Sequence, residues 1–343
     1  MNDRFLRACR REPVDATPVW FMRQAGRYMP EYRELRARHS LLELCRTPEL
    51  ALQVTLQPVD TLDVDAAIIF SDLLLPLAPM GLSFDFVQGE GPRFEQPITG
   101  DDDIARLRLI EPRDELSYAL DAIRLARRAL DGRLPLIGFA GAPFTLASYA
   151  IEGGPSRDFA RTKALMYGNP ASWHQLAEKL AAVVAGYAVA QVEAGAQAIQ
   201  IFDSWVGALT SDDYREFVQP HSSRIFEALA ATGVPTIHFG TGTSAILSDL
   251  AAAGGDVIGA DWRLPLDDAW QRIGTDRAVQ GNLDPTLLLG PRYRMLRGAD
   301  DVLRRAGGRP GHIFNLGHGI LPSTPVEHVQ ALAAYVHDYR SRF

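Results

Sequence analysis

Ala198-Ile199-Gln200-Ile201-Phe202 runs directly into Asp203-Ser204. A short apolar run that ends abruptly in polar residues is the pattern of a strand buried on both faces, as in a parallel sheet covered by helices. The pattern recurs along the chain. Val19 to Met22 leads into Arg23, Ala66 to Phe70 into Ser71-Asp72, and Leu134 to Phe139 into Ala140-Gly141. Pro235 to Phe239 precedes Gly240, Val257 to Ala260 precedes Asp261, Ala278 to Gly281 precedes Asn282, and Ile313 to Leu316 precedes Gly317-His318.

The segments between these runs read as helices. Ser172 to Ala194 has apolar residues at helical spacing and stops at Gly195. Ser211 to Ala231 is followed by Gly233 and Pro235, the punctuation expected after a helix. Thr324-Pro325 opens a last helix, with Pro325 suited to its first turn. Residues 81–97 alternate in polarity around Gly-Glu-Gly, which predicts a β-hairpin inserted after the second strand. Eight strand–helix units without a break in composition predict an α/β fold: a single (β/α)₈ TIM-type barrel domain over residues 1–343. A doubly wound open sheet is the competing architecture.

The 343 residues are 47% hydrophobic, enough for a large core. With 35 Lys and Arg against 42 Asp and Glu, the net charge is −7. A polyanionic substrate would therefore need a local group of cations, and a nucleic-acid partner is not expected. Two cysteines, Cys9 and Cys45, rule out a cysteine-built structural metal site and do not form a disulfide framework. The charged start, without an apolar core, is not expected to be a signal peptide, and no run approaches a membrane span. A cytoplasmic protein is expected.

In a barrel the active face lies at the carboxyl ends of the strands, so the residues just beyond each run are candidates. They are Arg23, Asp72, Asp203 with Ser204, Asp261, Asn282 and His318, each of which could instead cap the following helix. Arg23 and Arg27 flank Gln24, Ala25 and Gly26, and can present two guanidinium groups to a common centre. Guanidinium binds carboxylates in bidentate fashion, and Gly26 lets backbone approach a ligand; a solvated surface turn is the bland reading. Asp72, close to two cations, is expected to stay ionised and to anchor a developing positive charge. His318 sits in a glycine-flanked turn expected to be mobile, and Tyr149 about one helical turn beyond the third strand end. Gly240-Thr241-Gly242-Thr243-Ser244-Ala245, with Asp261 beyond it, has the form of a dinucleotide fingerprint, but falls in the fifth of eight similar units.

Seven stretches, taken in order, are more specific than any of these patterns. PVWFMRQAGRYMPEYRE, IIFSDLLLPL, GFAGAPFTLASYAIEGG, IFDSWVG, GADWRLPL, QGNLDP and FNLGHGILP together resemble the uroporphyrinogen decarboxylase family, from about Pro13 to Val336. The resemblance implies a homodimeric (β/α)₈ barrel of heme biosynthesis. Its activity would be cofactor- and metal-independent removal of the four acetate carboxyls of uroporphyrinogen III, giving coproporphyrinogen III. Carried over position by position, Arg23, Gln24, Ala25, Gly26 and Arg27 would be the carboxylate-binding segment and Asp72 the partner of the pyrrole N–H groups. Tyr149, Ser204 and His318 would be further contacts, with Arg36 a weaker one. Asp72 and Arg23 are the candidate catalytic residues, the latter delivering protons itself or through an oriented water. The rival is a zinc- or corrinoid-dependent methyltransferase on a similar barrel. Such a site needs a thiolate where His238-Phe239-Gly240 offers glycine.

Overall fold

The computed structural model describes residues 2–87 and 89–339. Its centre is a curled seven-stranded parallel sheet. In chain order the strands are β1 (Ala67–Ile68), β4 (Leu136–Gly141), β5 (Ala198–Asp203), β6 (Thr236–Gly240), β7 (Val257–Gly259), β8 (Ala278–Leu283) and β9 (His312–Leu316), each paired to the next. Between β1 and β4, β2 (Phe84–Val87) and β3 (Gly91–Phe94) form a separate antiparallel pair, within the stretch expected to be a hairpin. Gln88, between the two strands in sequence, lies outside the described residues. Leu136, Ile137, Ala198, Ile199, Ile201, Val257 and Ile258 are fully buried, as the unbroken apolar runs require of a sheet covered on both faces.

The first expected strand, Val19 to Met22, is not a ladder. Val19 makes one parallel bridge to Phe314 in β9, and the Phe314 N–H donates to Pro18 O at 2.8 Å. On its other side Val19 O accepts the Asp65 N–H at 2.7 Å, just before β1. Beyond that point side chains replace the neighbouring strand. The Phe21 N–H donates to Gln24 Oε1 at 3.1 Å and the Met22 N–H to Asn315 Oδ1 at 3.1 Å. The chain is thereby released from the sheet just where the arginine loop begins.

Two helix expectations need adjustment. The helix expected from Ser211 to Ala231 is broken into Ser211–Asp213, a wide π-helical turn Tyr214–Val218, and Gln219–Ala230. Pro220 has no N–H to give to the preceding turn, so the helix widens before it. Pro325 is not in the first turn of the last helix; it is the capping residue, with extended backbone, before Val326–Asp338.

Below the sheet, at the amino ends of the strands, Asp65 gathers four donors. They are Asn2 Nδ2 at 2.7 Å, Arg4 Nη1 at 2.6 Å, the Val19 N–H at 2.7 Å and His337 Nε2 at 2.7 Å. Its side chain is 1% exposed, and it ties the first strand to the last helix.

Candidate active site

The residues at the carboxyl ends of the strands divide into two groups. Asp203 is fully buried, accepts the Thr145 hydroxyl at 3.0 Å, and is pushed up to about 7 by burial. Asp261 accepts the N–H of Arg263 at 2.9 Å and of Gly242 at 2.5 Å. Asn282 donates to the carbonyls of Asp261 at 2.8 Å and Leu264 at 2.7 Å. These three fasten loops. Arg23, Asp72, Ser204 and His318 keep accessible surface on the same face.

The arginine loop, residues 22–29, is a series of turns rather than regular structure. Arg23 has φ +62°, a left-handed conformation that few non-glycine residues adopt. Gln24 is fully buried, and its amide accepts from Phe21 and donates to Ala66 O at 3.1 Å. Expected as a substrate contact, its side chain instead braces the loop from beneath. The Tyr28 hydroxyl donates to Gln24 O at 2.7 Å, and Arg33 Nη1 donates to the carbonyls of Arg27 and Tyr28 at 3.3 Å. With the carbonyls so engaged, the opposite side of the loop offers donors. Among the described residues, the N–H groups of Ala25, Gly26 and Arg27 have no acceptor, and the Arg23 and Arg27 side chains have no carboxylate within 4.0 Å. Arg36 donates to the carbonyl of His39, the residue that ends its own helix.

The side chains of this face feel one another's charge. Burial presses Arg23 below its ordinary pKa, Arg27 adds to that, and Tyr149 and Asp72 oppose it. Arg23 still exposes surface to solvent. A guanidinium stays protonated under such shifts. Asp72 is pushed up to about 6 by burial, against the Leu74 N–H it accepts at 2.9 Å and the charge of Arg23. Desolvation outweighs the pull of Arg23, yet with the value at about 6 the expected ionised form still predominates at neutral pH. Tyr149, on the helix Pro143–Glu152, is raised to about 12 by burial and by Asp72, and its ring packs edge-on against Trp205 at 5.7 Å.

His318 is pushed down to about 4 by burial and by the charges of Arg23 and Arg263, so it is a neutral imidazole at physiological pH. Its ring stacks on Phe239 at 6.5 Å, and both glycines that flank it are tightly packed. A side chain at Gly317 would meet Trp262 N at 2.4 Å, and one at Gly319 would meet Arg23 Cδ at 2.4 Å. Ser204 lies beside these residues, its carbonyl accepting the Thr241 hydroxyl at 2.5 Å. The structure thus brings together Arg23, Arg27, Asp72, Tyr149 and His318, and turns Gln24 and Arg36 to supporting positions. Sequence reading missed the packing role of Gly319, although its place beside His318 was visible.

The fingerprint-like loop has a different use. Gly207 packs against it so closely that a side chain there would lie 2.2 Å from Thr241 O, and the Gly242 N–H is taken by Asp261. His238, the first residue of the segment compared with a zinc motif, is fully buried with Nδ1 3.1 Å from Leu250 O, and Cys9 and Cys45 are buried.

A family model described as uroporphyrinogen decarboxylase (URO-D) matches residues 1–339. A uroporphyrinogen decarboxylase of Sorangium cellulosum (strain So ce56) is 63% identical over 337 residues, covering 98% of this chain and 96% of that protein. One from Carboxydothermus hydrogenoformans is 55% identical, covering 99% of this chain and 97% of its own length. Among solved structures, a methyltransferase from Methanosarcina mazei aligns with TM-score 0.82 over 98% of this chain and 97% of that one. At 24% identity that likeness speaks for the fold alone. The curled parallel sheet, the arginine loop facing Asp72 and relatives matching end to end agree on one assignment: this chain belongs to the uroporphyrinogen decarboxylase family.

Proposed function

We propose that the arginine loop and Asp72 carry the reaction of this family, the loop by holding carboxylates and Asp72 by steadying a positive macrocycle. The chain decarboxylates the acetate arms of uroporphyrinogen to give coproporphyrinogen. Its substrate is a tetrapyrrole with multiple carboxylates, and what it must supply follows from the chemistry. Loss of CO₂ from an acetate arm leaves an electron pair that needs a sink. Protonation of a pyrrole ring carbon makes an iminium; the bond to the carboxylate then breaks, and its electrons neutralise the ring. Protonation of the resulting exocyclic methylene and loss of the ring-carbon proton leave a methyl group, so each carboxyl lost consumes one proton overall.

Asp72 is the anion placed for this. Its few donors leave its charge under-compensated, and a cationic ring with N–H donors would lower its pKa and restore full ionisation. Fixed charges of this kind contribute about 10²- to 10³-fold in rate. Arg23, Arg27 and the N–H groups of Ala25, Gly26 and Arg27 hold the peripheral carboxylates, with Tyr149, Ser204 and neutral His318 as further contacts. Arg23, or a water it orients, delivers protons. The observation that carries this reading is the coexistence, on one face, of cations without counter-ions and a carboxylate without enough donors.

The bonds of Pro18 and Val19 to Phe314 and Asp65 support closure of the sheet into a single-domain (β/α)₈ barrel, with β2 and β3 as an inserted hairpin. Among the described residues no helix is long and apolar enough to cross a membrane. A cytoplasmic homodimer, with no nucleic-acid partner, fits the family and the charge balance. Anaerobic incubation with uroporphyrinogen III, with products counted by remaining carboxyls, tests the function. Accumulation of the four-carboxyl porphyrinogen is expected; recovery of substrate with every carboxyl in place would refute it.

A further inference from the structure

Gly319 has no conformational reason to be glycine. Its φ is not in the left-handed range, so its backbone would accept any L-residue. The reason is space, and one side chain comes nearest to filling it. A Cβ at this position would lie 2.4 Å from Arg23 Cδ, 2.6 Å from Cγ and 2.9 Å from Nε. The three nearest atoms all belong to the Arg23 arm. Two hydrogen bonds fix this crossing: the Ile320 N–H donates to Met22 O at 2.9 Å, and the Met22 N–H donates to the Asn315 side-chain Oδ1 at 3.1 Å. The left-handed φ of Arg23 then starts its side chain over the 317–320 turn.

We propose that Gly319 is a positioning residue for Arg23: the missing side chain is the floor across which the arginine reaches the substrate. The proposal rests on the reading of Arg23 as a substrate-facing cation. It differs from a general packing role in one respect. An arginine arm is flexible and ends in solvent, so a methyl group at 319 displaces that arm and leaves the rest of the fold in place. His318 supplies an independent reporter, because the charge of Arg23 is one of the influences that depress its pKa.

The test is a double-mutant cycle of Gly319→Ala and Arg23→Ala, read by kcat and KM with uroporphyrinogen III, by thermal unfolding, and by NMR titration of His318. Gly319→Ala is expected to keep the wild-type Tm and lower kcat/KM by 10-fold or more toward the value of Arg23→Ala. In the Arg23→Ala background it should change kcat/KM less than twofold, and His318 should titrate higher in both single variants. Wild-type kinetics in Gly319→Ala, or losses that multiply in the double variant, would overturn the proposal. Should Gly319→Ala fail to fold, the double variant decides: recovery of the fold confirms that the clash is with Arg23, and continued unfolding refutes it. Full activity in Arg23→Ala would sink the reading of Arg23 itself; an impaired Arg23→Ala beside a normal Gly319→Ala would sink only this inference.

Discussion

Asp65 and Asp72 sit seven residues apart, at opposite ends of β1, and their surroundings are inverted. At the amino end, burial pushes Asp65 up, but His337, Asn2 and the Val19 N–H outweigh it and hold the carboxyl below its ordinary range. At the carboxyl end, burial wins and Asp72 rises to about 6. One carboxylate is saturated with donors from distant parts of the chain; the other has a single backbone donor and faces cations that lack partners. Of these two, the saturated charge ties the fold together and the unsaturated one is left able to answer a ligand.

Exchanging the charge at each end should therefore have opposite effects. Asp72→Asn is expected to lower kcat by about 10²- to 10³-fold. It should also remove an acidic limb of kcat/KM centred near pH 6, measured by steady-state turnover across pH. Because the folded pKa of Asp72 lies above its unfolded value, stability falls as pH rises from about 4 through about 6. The same variant should accordingly gain roughly 1–2 kcal/mol at neutral pH, allowing for solvent near the carboxylate, and nothing near pH 4. A destabilised Asp72→Asn would remove the contrast.

Asp65→Asn should do the reverse, losing about 3 kcal/mol in denaturant unfolding while the remaining folded protein turns over normally. Loss of activity out of proportion to unfolding would mean that the two ends are coupled. Arg27→Ala sharpens the carboxyl end: with no ion pair to lose among the described residues, it should leave Tm unchanged and raise KM about tenfold. The smallest effect belongs to His337, whose pKa is raised because its bonds to Asp65 and Asp63 outweigh burial. Its contribution is fully present below the unfolded value near 6.5 and is lost as pH rises through the folded one. His337→Gln should cost about 1 kcal/mol near pH 6 and little near pH 9, as read by urea titration at both.

The sheet was legible because its strands are continuous apolar runs, and β4 to β9 lie within a residue or two of where those runs fall. The first strand was overread. Val19 to Met22 looks like the others, but Gln24 and Asn315 take the N–H groups that a ladder would use, and the second partner is 293 residues away. Pro220 was a visible signal for the break near 214–218 and was passed over. Arg23, Arg27 and Asp72 were legible from type and position at strand ends. The burial that raises Asp72, and the inward turn of Gln24, depend on neighbours distant in sequence. Asp65 carried no signal at all, since its donors come from positions 2, 4, 19 and 337.

The bridge between Val19 and Phe314 also sets a timetable for biosynthesis. Those residues are 314 − 19 = 295 positions apart, so the Val19 segment leaves the ribosome long before its neighbour exists. At about 5–20 residues per second, Trp20 and Phe21 wait roughly 15–60 s before they can be enclosed. Until β9 emerges, Trp20 and Phe21, both fully buried in the finished fold, lack the neighbour that closes over them.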